Sequence, residues 1–447
     1  MRRREFILAS VGLTGVGSRH VAVAAPCPPS LVNPVGGLSA ATTCVKNNGS
    51  VPAWFQGLPE KTWTVIAGGN GYGSTFQNGA TLASQGPGLM GVSCSTAASS
   101  GDQSGIIRAW CGAVINQEMR ELVLAANGGH GDYWGNEVYA LQLDQSVPTW
   151  VRLTDPTPAS YCDGNDTYLG AAAGAPAKYA DGRPRAMHTA NTQCYGDGKV
   201  WVMGQSAYAA IGHSTSQTWA FDRDSIRGQS YPVAHDGGIG AWRYIGSGPV
   251  APATVGFGVA AWDPVGRKAW GVYGENDDKA YWSIDSVTST ITTYRQTITG
   301  ANFGSQWACV DPIRRNLIVS DYNSTDLYIL DLTNPSKGFV KRATTGGSVG
   351  RRYFGTSYHP ASDALLSMDV GVNNNGEFFK LNLSNWAWST IAKTGGINPV
   401  YQYSDTQGTN GKFNLVADMG NGQACLVLVT GTGPGYTYAY KLPSTGV

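Results

Sequence analysis

The chain has 447 residues, of which 14% are charged, and its formal net charge is +1. A nearly neutral chain without a dominant basic patch lacks the composition of a nucleic-acid-binding protein. Its 60 glycines, its 11% of aromatic residues and its few charged helical stretches instead indicate an all-β protein rich in turns.

The first 24 residues predict export. Arg3 and Arg4 precede Glu5, Phe6 and Ile7, which resembles the twin-arginine export signal, and the stretch ends in Ala22-Val23-Ala24, a small-x-small cleavage pattern. A general-secretory signal is the alternative, with the same destination. No later stretch has the ~18 apolar residues that span a membrane. We expect a periplasmic or secreted protein with a signal over 1–24, an extension over 25–60 and one domain over 61–447.

Eight cysteines are present, and an even count in an exported protein permits disulfides. Polar stretches hold four that could form bridges: Cys27, Cys44, Cys94 and Cys162. Cys309 and Cys425 lie inside apolar strand patterns, which predicts buried thiols. None has C-x-x-C spacing, so the sequence does not support a zinc site.

A repeated unit of strand, turn and strand runs through the chain. Its turns contain Asp263-Pro264, Asp311-Pro312 and His359-Pro360, 48 residues apart. In the first unit, Asn116 takes the aspartate position. In the second, the turn is assigned to NTQCYGDGKV (191–200), which includes the adjacent Cys194 and Tyr195.

Two further strands follow in most units. The third strand has an aromatic residue followed by alternating apolar residues, and it often ends in aspartate. It is predicted at 138–144, 218–223, 280–285, 327–332, 378–383 and 437–442. The fourth strand follows five of these, at 149–153, 241–245, 291–295, 338–342 and 386–391. The sixth unit lacks a fourth strand, and KTWTVIAGG (61–69) is an unpaired strand of that type.

These units predict a single all-β domain, a β-propeller of six four-stranded blades. The N-terminal strand completes the C-terminal blade, so the ring has no open edge. Residues 69–104 and 156–182 read as long Gly/Ala/Ser-rich loops, and a degenerate seventh blade is the alternative there.

The repeats resemble kelch-type propellers of the galactose-oxidase-like superfamily. The resemblance rests on Gly128-Gly129, on the strands VYALQLD (138–144) and LYILDL (327–332), and on Trp150. It covers about residues 60–443. It implies a fold and leaves several functions open, among them ulvan-lyase-like polysaccharide lyases, copper radical oxidases and binding modules.

In a propeller the first strand of each blade lines the channel, and loops at one end of the ring form the usual ligand face. Counting eight residues back from each turn predicts where the first strands begin: Arg108, Met187 or His188, Val255, Phe303 and Arg351. Two residues further on lie Trp110, Phe257 and Tyr353, and Arg185 lies close behind His188.

Loops between second and third strands reach the same face. They carry His130, Asp132 and Tyr133 in the first unit and Glu275 in the third. The acidic run 275–278 could hold a structural calcium ion. His359, in its proline turn, is predicted to lie on the opposite face with a structural role.

These residues favour an enzyme that cleaves a uronic-acid-containing polysaccharide by β-elimination. The reaction needs a cation beside the uronate carboxylate, here Arg351, Arg108 or Arg185. It needs a base and an acid, and the resemblance to propeller lyases implies His130 or His188, and Tyr133 or Tyr353. Trp110 and Glu275 are candidates for substrate binding. No cofactor, metal or nucleic acid is implied, and a monomer is expected.

Three alternatives stay open. A non-catalytic propeller that binds glycan or protein fits the same residues. A copper radical oxidase needs two histidines, and a late histidine pair is absent because only His359 follows residue 235. A glycoside hydrolase needs a carboxylate pair, for which Glu275 and Asp321 are candidates.

Overall fold

The structure is a computed structural model with side chains. It describes residues 50–67, 106, 111–127, 135–161, 178–203, 206–207, 217–248, 258–274, 277–304, 306–322, 324–347, 354–368, 376–399, 409–430 and 437–444. Within these ranges, no helix is long and apolar enough to cross a membrane.

The described strands form six antiparallel blades, as the repeats predict. One strand, β1 (Thr62–Ala67), precedes the first blade. Blade 1 contains β2 (Val114–Asn116), β3 (Glu121–Ala125), β4 (Val138–Gln142) and β5 (Thr149–Arg152). After a short strand, β6 (Met187–His188), blade 2 contains β7 (Gln193–Gly196), β8 (Lys199–Met203), β10 (Gln217–Asp222) and β11 (Trp242–Ser247), with the short β9 (Ser206–Ala207) between β8 and β10.

The remaining blades repeat this order. Blade 3 contains β12 (Val259–Asp263), β13 (Lys268–Tyr273), β14 (Asp278–Asp285) and β15 (Ile291–Thr297). Blade 4 contains β16 (Ala308–Asp311), β17 (Asn316–Ser320), β18 (Leu327–Asp331) and β19 (Phe339–Arg342). Blade 5 contains β20 (Gly355–His359), β21 (Ala364–Met368), β22 (Phe378–Asn382) and β23 (Ala387–Ile391). Blade 6 contains β25 (Phe413–Val416), β26 (Cys425–Val429) and β27 (Thr437–Lys441).

The N-terminal strand closes the ring. β1 pairs antiparallel with β27, with Trp63 opposite Tyr440, and so supplies the fourth strand of blade 6. The short β24 (Gly395–Gly396) then pairs parallel with β1 on its outer side. The predicted closure is confirmed, and the extra pairing covers an edge that would otherwise be open to other chains.

Hydrophobic residues on both faces of the strands explain why the blades stack. All five residues of β3 are buried. Leu122 and Leu124 pack toward blade 6, whereas Val123 and Ala125 pack toward blade 2. Because consecutive strand residues point to opposite faces, a strand with apolar residues on both faces must be covered on both sides, and a ring of blades provides this cover.

A helical turn before β1 seals the junction between blades 6 and 1. In α1 (Ala53–Gln56), Phe55 is fully buried and lies 5.1 Å from the Lys441 ammonium. The Trp54 indole N–H donates to the Leu143 carbonyl at 2.9 Å. The helical turn therefore contacts blade 1 through Trp54 and blade 6 through Phe55. The other α-helix, α2 (His235–Ala241), precedes β11.

The turns between first and second strands carry the contacts that link neighbouring blades at one end of the ring. Asp263 and Asp311 each accept two backbone N–H groups of their own turn through Oδ1. Arg315, four residues after Asp311, donates to Asp263 Oδ2 of the preceding blade at 2.7 Å. Arg267 contacts Asp197 of its preceding blade in the same way, at 2.8 Å. The sequence repeat is thus also a repeat of inter-blade ion pairs.

Three sequence expectations about the register are corrected. The first strands begin four to six residues later than predicted, at Val114, Gln193, Val259, Ala308 and Gly355. Phe303, predicted at the channel, is buried against Tyr328 and Phe339 between blades. The count of eight residues fails because the described first strands are only three to five residues long. Cys194 and Tyr195 lie in β7, and the turn of blade 2 begins after them.

The cysteine prediction is confirmed where the structure describes it. Cys309 and Cys425 are buried free thiols, and burial raises the pKa of each to about 12. Cys194 is also a free and buried thiol, and Cys111 is buried. The four cysteines predicted for bridges lie outside the described residues.

The ion pair of Arg315 should contribute to stability. In Arg315→Ala, Asp263, which is 1% exposed at its side chain, loses a charged donor. We expect the free energy of unfolding in urea to fall by about 1.5–3 kcal/mol. Arg295→Ala, which removes a pair about half exposed on both sides, is the control and should change it by less than about 0.5 kcal/mol. Equal losses of stability in the two variants would contradict a stabilising role of the ion pair between Arg315 and Asp263.

His359 should make the fold sensitive to acid. It is 3% exposed, its Nδ1 is 2.7 Å from Ser362 Oγ, and it lies at the turn end of β20, as predicted. Burial, with Lys380 as a lesser cause, lowers its pKa to about 4 from the usual 6.5. Between these two values the unfolded chain binds a proton that the folded chain does not, so stability falls as pH decreases.

The measurement compares urea unfolding of the wild type and His359→Gln at pH 7 and pH 4.5. The variant should lose less stability on acidification, by on the order of 2 kcal/mol. Carboxylates titrate in both proteins, so the difference isolates the imidazole. Identical losses would show that His359 does not carry this effect.

Candidate functional site

The ring has two unlike ends. The turn face holds the turns between first and second strands and between third and fourth strands. The connection face holds the links from second to third strands and from one blade to the next. The predicted site residues belong by chain order to the connection face, and His359 belongs to the turn face.

Two of the nine predicted site residues, His188 and Arg185, are described. Arg185 is half-buried, and its Nε donates to the Lys178 carbonyl at 3.2 Å. The other seven lie outside the described residues: Arg108, Trp110, His130, Tyr133, Glu275, Arg351 and Tyr353.

His188 lies in a two-stranded sheet beside blade 1. β6 pairs with β9, and His188 lies opposite Ser206. On the other side, the Met187 N–H donates to the Ala126 carbonyl at 2.8 Å, and Met187 bridges Asn127. The histidine is 4% exposed. It therefore lies in a buried link between blades 1 and 2, next to the segment that continues toward His130.

The residues that follow His188 cross the axis of the ring. We call Thr189–Gln193 the axial segment. The Asn191 side-chain amide donates to the backbone carbonyls of Gln306 at 2.7 Å and Phe354 at 3.2 Å. The Asn191 backbone carbonyl accepts from Ala260 N at 2.7 Å. These partners precede or begin the innermost strands of blades 4, 5 and 3. One asparagine of blade 2 thus contacts three other blades across the channel.

The axial segment also contacts blade 1. Thr189 Oγ1 accepts from Gly112 N at 2.9 Å and donates to Asn127 Oδ1 in a short hydrogen bond. Asn127 Nδ2 donates to the Gly112 carbonyl at 2.7 Å. Gln193 Nε2 donates to the Ala125 carbonyl at 2.5 Å. All of these side chains are at least nine-tenths buried, so they form a buried polar network between the axial segment and blade 1.

Close backbone packing and a left-handed residue hold the axial segment in place. Ala190 has a φ of +36°, a conformation that is unfavourable for an L-residue with a side chain. A Cβ atom on Gly112 would lie 2.2 Å from the Ala190 carbonyl oxygen, so glycine is required there. Such strain persists where surrounding contacts over-determine it, commonly at functional sites.

The network gathers the chain segments that carry the predicted site residues. Asn127 lies three residues before His130, Gly112 two after Trp110, and Phe354 directly after Tyr353. Each bonds to the axial segment, which directly follows His188. The structure therefore brings together His188 and the described neighbours of three other predicted residues, which themselves lie outside the described residues.

A hairpin precedes β6 on the same face. Lys178 bridges Pro184, and the Tyr179 N–H donates to the Arg183 carbonyl at 2.9 Å. Asp181 accepts from Arg183 N and Nε, both at 2.9 Å, and from Thr157 Oγ1 at 2.7 Å. Burial alone would raise the pKa of Asp181, but these donors outweigh it and hold the pKa below its usual value.

Sequence reasoning missed the axial segment and this buried ion pair. Asn191, Thr189, Asp181 and Arg183 have no motif and no counterpart in the repeat. The one usable signal was the polar stretch HTANTQ (188–193), placed where a buried strand should begin. A buried polar run of this kind must be hydrogen-bonded throughout, which indicates a special position.

The described residues contain no group of three or more histidine, cysteine, aspartate or glutamate side chains that could hold a metal ion. Of the acidic run proposed for calcium, Asp277 Oδ1 accepts from Gly300 N at 2.9 Å, and Asp278 pairs with Arg295. Glu275 lies outside the described residues.

Comparison with known proteins identifies similar folds. No family model and no curated protein matches. Similar solved structures include the allergen Mala s 1 of Malassezia sympodialis, with 12% identity, 76% of this chain, 96% of that chain and a TM-score of 0.43. An auxiliary nutrient binding protein of Bacteroides ovatus shares 9% identity, with 76% and 70% coverage and a TM-score of 0.42.

TolB of Acinetobacter baumannii shares 12% identity over 68% of this chain, with a TM-score of 0.34, and the chain spans 59% of the TolB chain. Similarities at this level carry no ligand or activity to this protein. The residues of the chain itself must indicate its function.

Replacement of Asn191 should destabilise the fold. Asn191→Ala leaves the Gln306 and Phe354 carbonyls without their donor at a buried position. We expect the urea unfolding free energy to fall by about 1–3 kcal/mol. Asn385→Ala, an exposed asparagine that accepts from Ala387 N within its own turn, is the control with a small effect. A neutral Asn191→Ala would contradict the role of the axial segment.

Proposed function

We propose that this protein is an exported carbohydrate-active propeller that binds a uronic-acid-containing polysaccharide on its connection face and cleaves it by β-elimination. One observation carries the proposal: Asn127, Gly112 and Phe354, which lie one to three residues from His130, Trp110 and Tyr353, bond to the axial segment that directly follows His188. A set of His, Tyr, Arg and Trp side chains that are distant in sequence thereby becomes one candidate site.

The chemistry assigns a role to each type of side chain. An arginine, Arg351 first, neutralises the uronate carboxylate and stabilises the negative charge that develops when the C5 proton leaves. His188 or His130 accepts that proton, and Tyr133 donates a proton to the departing glycosidic oxygen. Arg108, Trp110, Arg185, Tyr353 and Glu275 are proposed to bind the sugar chain. The reaction proposed here uses no cofactor.

The burial of His188 favours a second candidate, a propeller that binds the glycan without cleaving it. An imidazole that is 4% exposed reaches a C5 proton only if the residues packed around it move. Binding to the arginines and aromatic residues of the face needs no such movement. Both candidates share the ligand, the face and the expected periplasmic or secreted location, and they differ in whether product forms.

The test uses the exported protein with polygalacturonate, alginate and glucuronan, and follows the absorbance of unsaturated uronates. Wild-type protein should release product from at least one polymer. His188→Ala or His130→Ala should lower the rate by about 10²–10⁴-fold, the usual contribution of a general acid or base. His359→Gln on the turn face is the matched histidine control and should keep the wild-type rate.

Product formation that survives both alanine changes would overturn the assignment of the base. Binding of a polymer without any unsaturated product would favour the binding module. Absence of both binding and product with every acidic polymer would overturn the proposed function as a whole. Calcium is tested in the same assay by adding a chelator, which we expect to leave the rate unchanged.

A further inference from the structure

We propose that a groove on the outer rim of the ring, between blades 5 and 6, binds a small carboxylic acid whose carboxylate accepts a hydrogen bond from the Tyr440 hydroxyl. We call this the rim groove. It is lined by Lys61, Tyr440 and Leu442 on the blade 6 side and by Thr390 and Ile391 at the end of β23. This inference is independent of the proposed function, because the rim groove contains none of the predicted site residues.

Tyr440 has a hydroxyl group at a position that is apolar in four of the other blades. The equivalent residues of those third strands, each opposite an aromatic residue of the fourth strand, are Leu141, Phe221, Leu330 and Leu381. In blade 6 the aromatic residue is Trp63, and it lies opposite Tyr440. The packing of this position in the repeat needs no polar atom, so the hydroxyl requires another explanation.

The Tyr440 hydroxyl is buried without a partner. The side chain is fully buried, and its hydroxyl has no hydrogen-bond partner among the described residues. Burial raises the pKa of Tyr440 to about 12, so the hydroxyl keeps its proton at neutral pH and is available as a donor. A buried polar group without a hydrogen bond costs free energy and needs an explanation. A ligand with an acceptor oxygen provides one.

The surroundings of the Tyr440 ring place it beside the rim groove. Trp63 and Phe378 pack against the ring, with centroid distances of 5.2 and 5.1 Å. Phe378 lies opposite Ile391 in the next strand of blade 5. Tyr440 and Leu442 belong to one buried cluster, against which Ile391 packs, and all three line the rim groove. The ring therefore extends from β27 toward the end of β23, where the rim groove lies.

The charge of the rim groove favours a negatively charged ligand. Lys61 is exposed, and it is the charged residue among the described residues that line the groove. The adjacent Glu60 instead accepts from Ser444 N at 3.3 Å. The Lys61 carbonyl accepts from Thr394 N at 2.9 Å, which joins the Lys61 backbone to the segment that follows β23. A neutral donor and a nearby ammonium group together suit a carboxylate.

The size and the remaining walls of the rim groove favour a small ligand with an apolar body. Its volume is about 220 Å³, below the roughly 300–1,000 Å³ of pockets for drug-sized ligands. A cavity of about 150 Å³ already holds a molecule with one aromatic ring. Ile391, Leu442 and Pro443 provide apolar walls. A carboxylic acid with one ring or a short alkyl chain meets all of these conditions.

The experiment measures the binding of benzoate and hexanoate by calorimetry and compares each acid with its uncharged amide. The wild type should bind at least one acid with a Kd of about 1 mM or lower, and the matching amide about tenfold more weakly. Tyr440→Phe keeps the ring and should bind the acid about tenfold more weakly. Lys61→Gln should weaken binding about threefold and reduce its salt dependence.

Tyr281→Phe is the matched control, because the Tyr281 hydroxyl donates to the Pro335 carbonyl at 3.0 Å. It should lower the midpoint of urea unfolding and leave binding unchanged. Tyr440→Phe should not lower the midpoint, since it breaks no hydrogen bond within the protein. A midpoint lowered as much as in Tyr281→Phe would show that the Tyr440 hydroxyl already has a partner, and would overturn the site.

Three binding results would also overturn the inference. They are no binding of either acid by the wild type, equal affinity of the wild type and Tyr440→Phe, and equal affinity for an acid and its amide. Each of these results leaves the polysaccharide assays unaffected, so failure of the rim groove and failure of the proposed function are distinguishable.

Discussion

The Asn191 side chain reaches across the ring axis to the Gln306 and Phe354 carbonyls, and much of the molecule depends on this contact. Six blades that pack only on their neighbours could open at any junction. A polar segment at the axis that bonds to blades 1, 3, 4 and 5 fixes their relative positions from the inside. Because every partner is buried, loss of one hydrogen bond leaves a carbonyl or amide group without a replacement hydrogen-bond partner.

The two ends of the ring differ in how their contacts relate to the sequence repeat. On the turn face, Arg315 and Arg267 occupy the same position of the sequence repeat, and they join blades 4 and 3 to the blade that precedes each. On the connection face, the ion pair of Asp181 and Arg183 and the left-handed Ala190 occur once and follow no repeat. Features that repeat serve the ring as a whole. Features that break the repeat, at a cost in desolvation or strain, are the better indicators of a site.

The sequence predicted the blades well and the site poorly, for identifiable reasons. The third strands, such as β4 and β18, alternate between two buried faces, so their pattern is clear without a structure. The closure by β1 followed from a missing partner strand in the last unit. The start of the first strands was predicted wrongly, because these strands have three to five residues and the count assumed eight, and Phe303 was misplaced on that account.

The axial segment was beyond sequence reasoning for a different reason. Asn191 bonds to backbone carbonyls more than 100 residues away. Every residue has a backbone carbonyl, so no residue type in the sequence marks these partners. His188 was identified through a register that proved to be shifted, yet it directly precedes that segment. The prediction of its role remains to be tested, as do those for His130, Tyr133 and Arg351.

Amide hydrogen exchange with and without a saturating acidic polysaccharide maps the contact without altering a residue. Exchange should slow in peptides that cover 127–135, 178–193 and 349–354, and it should stay unchanged in the turn-face peptides around Asp263, Asp311 and His359. Protection of the turn face, or no protection at the connection face in a protein that binds the polymer, would contradict the proposed binding on the connection face.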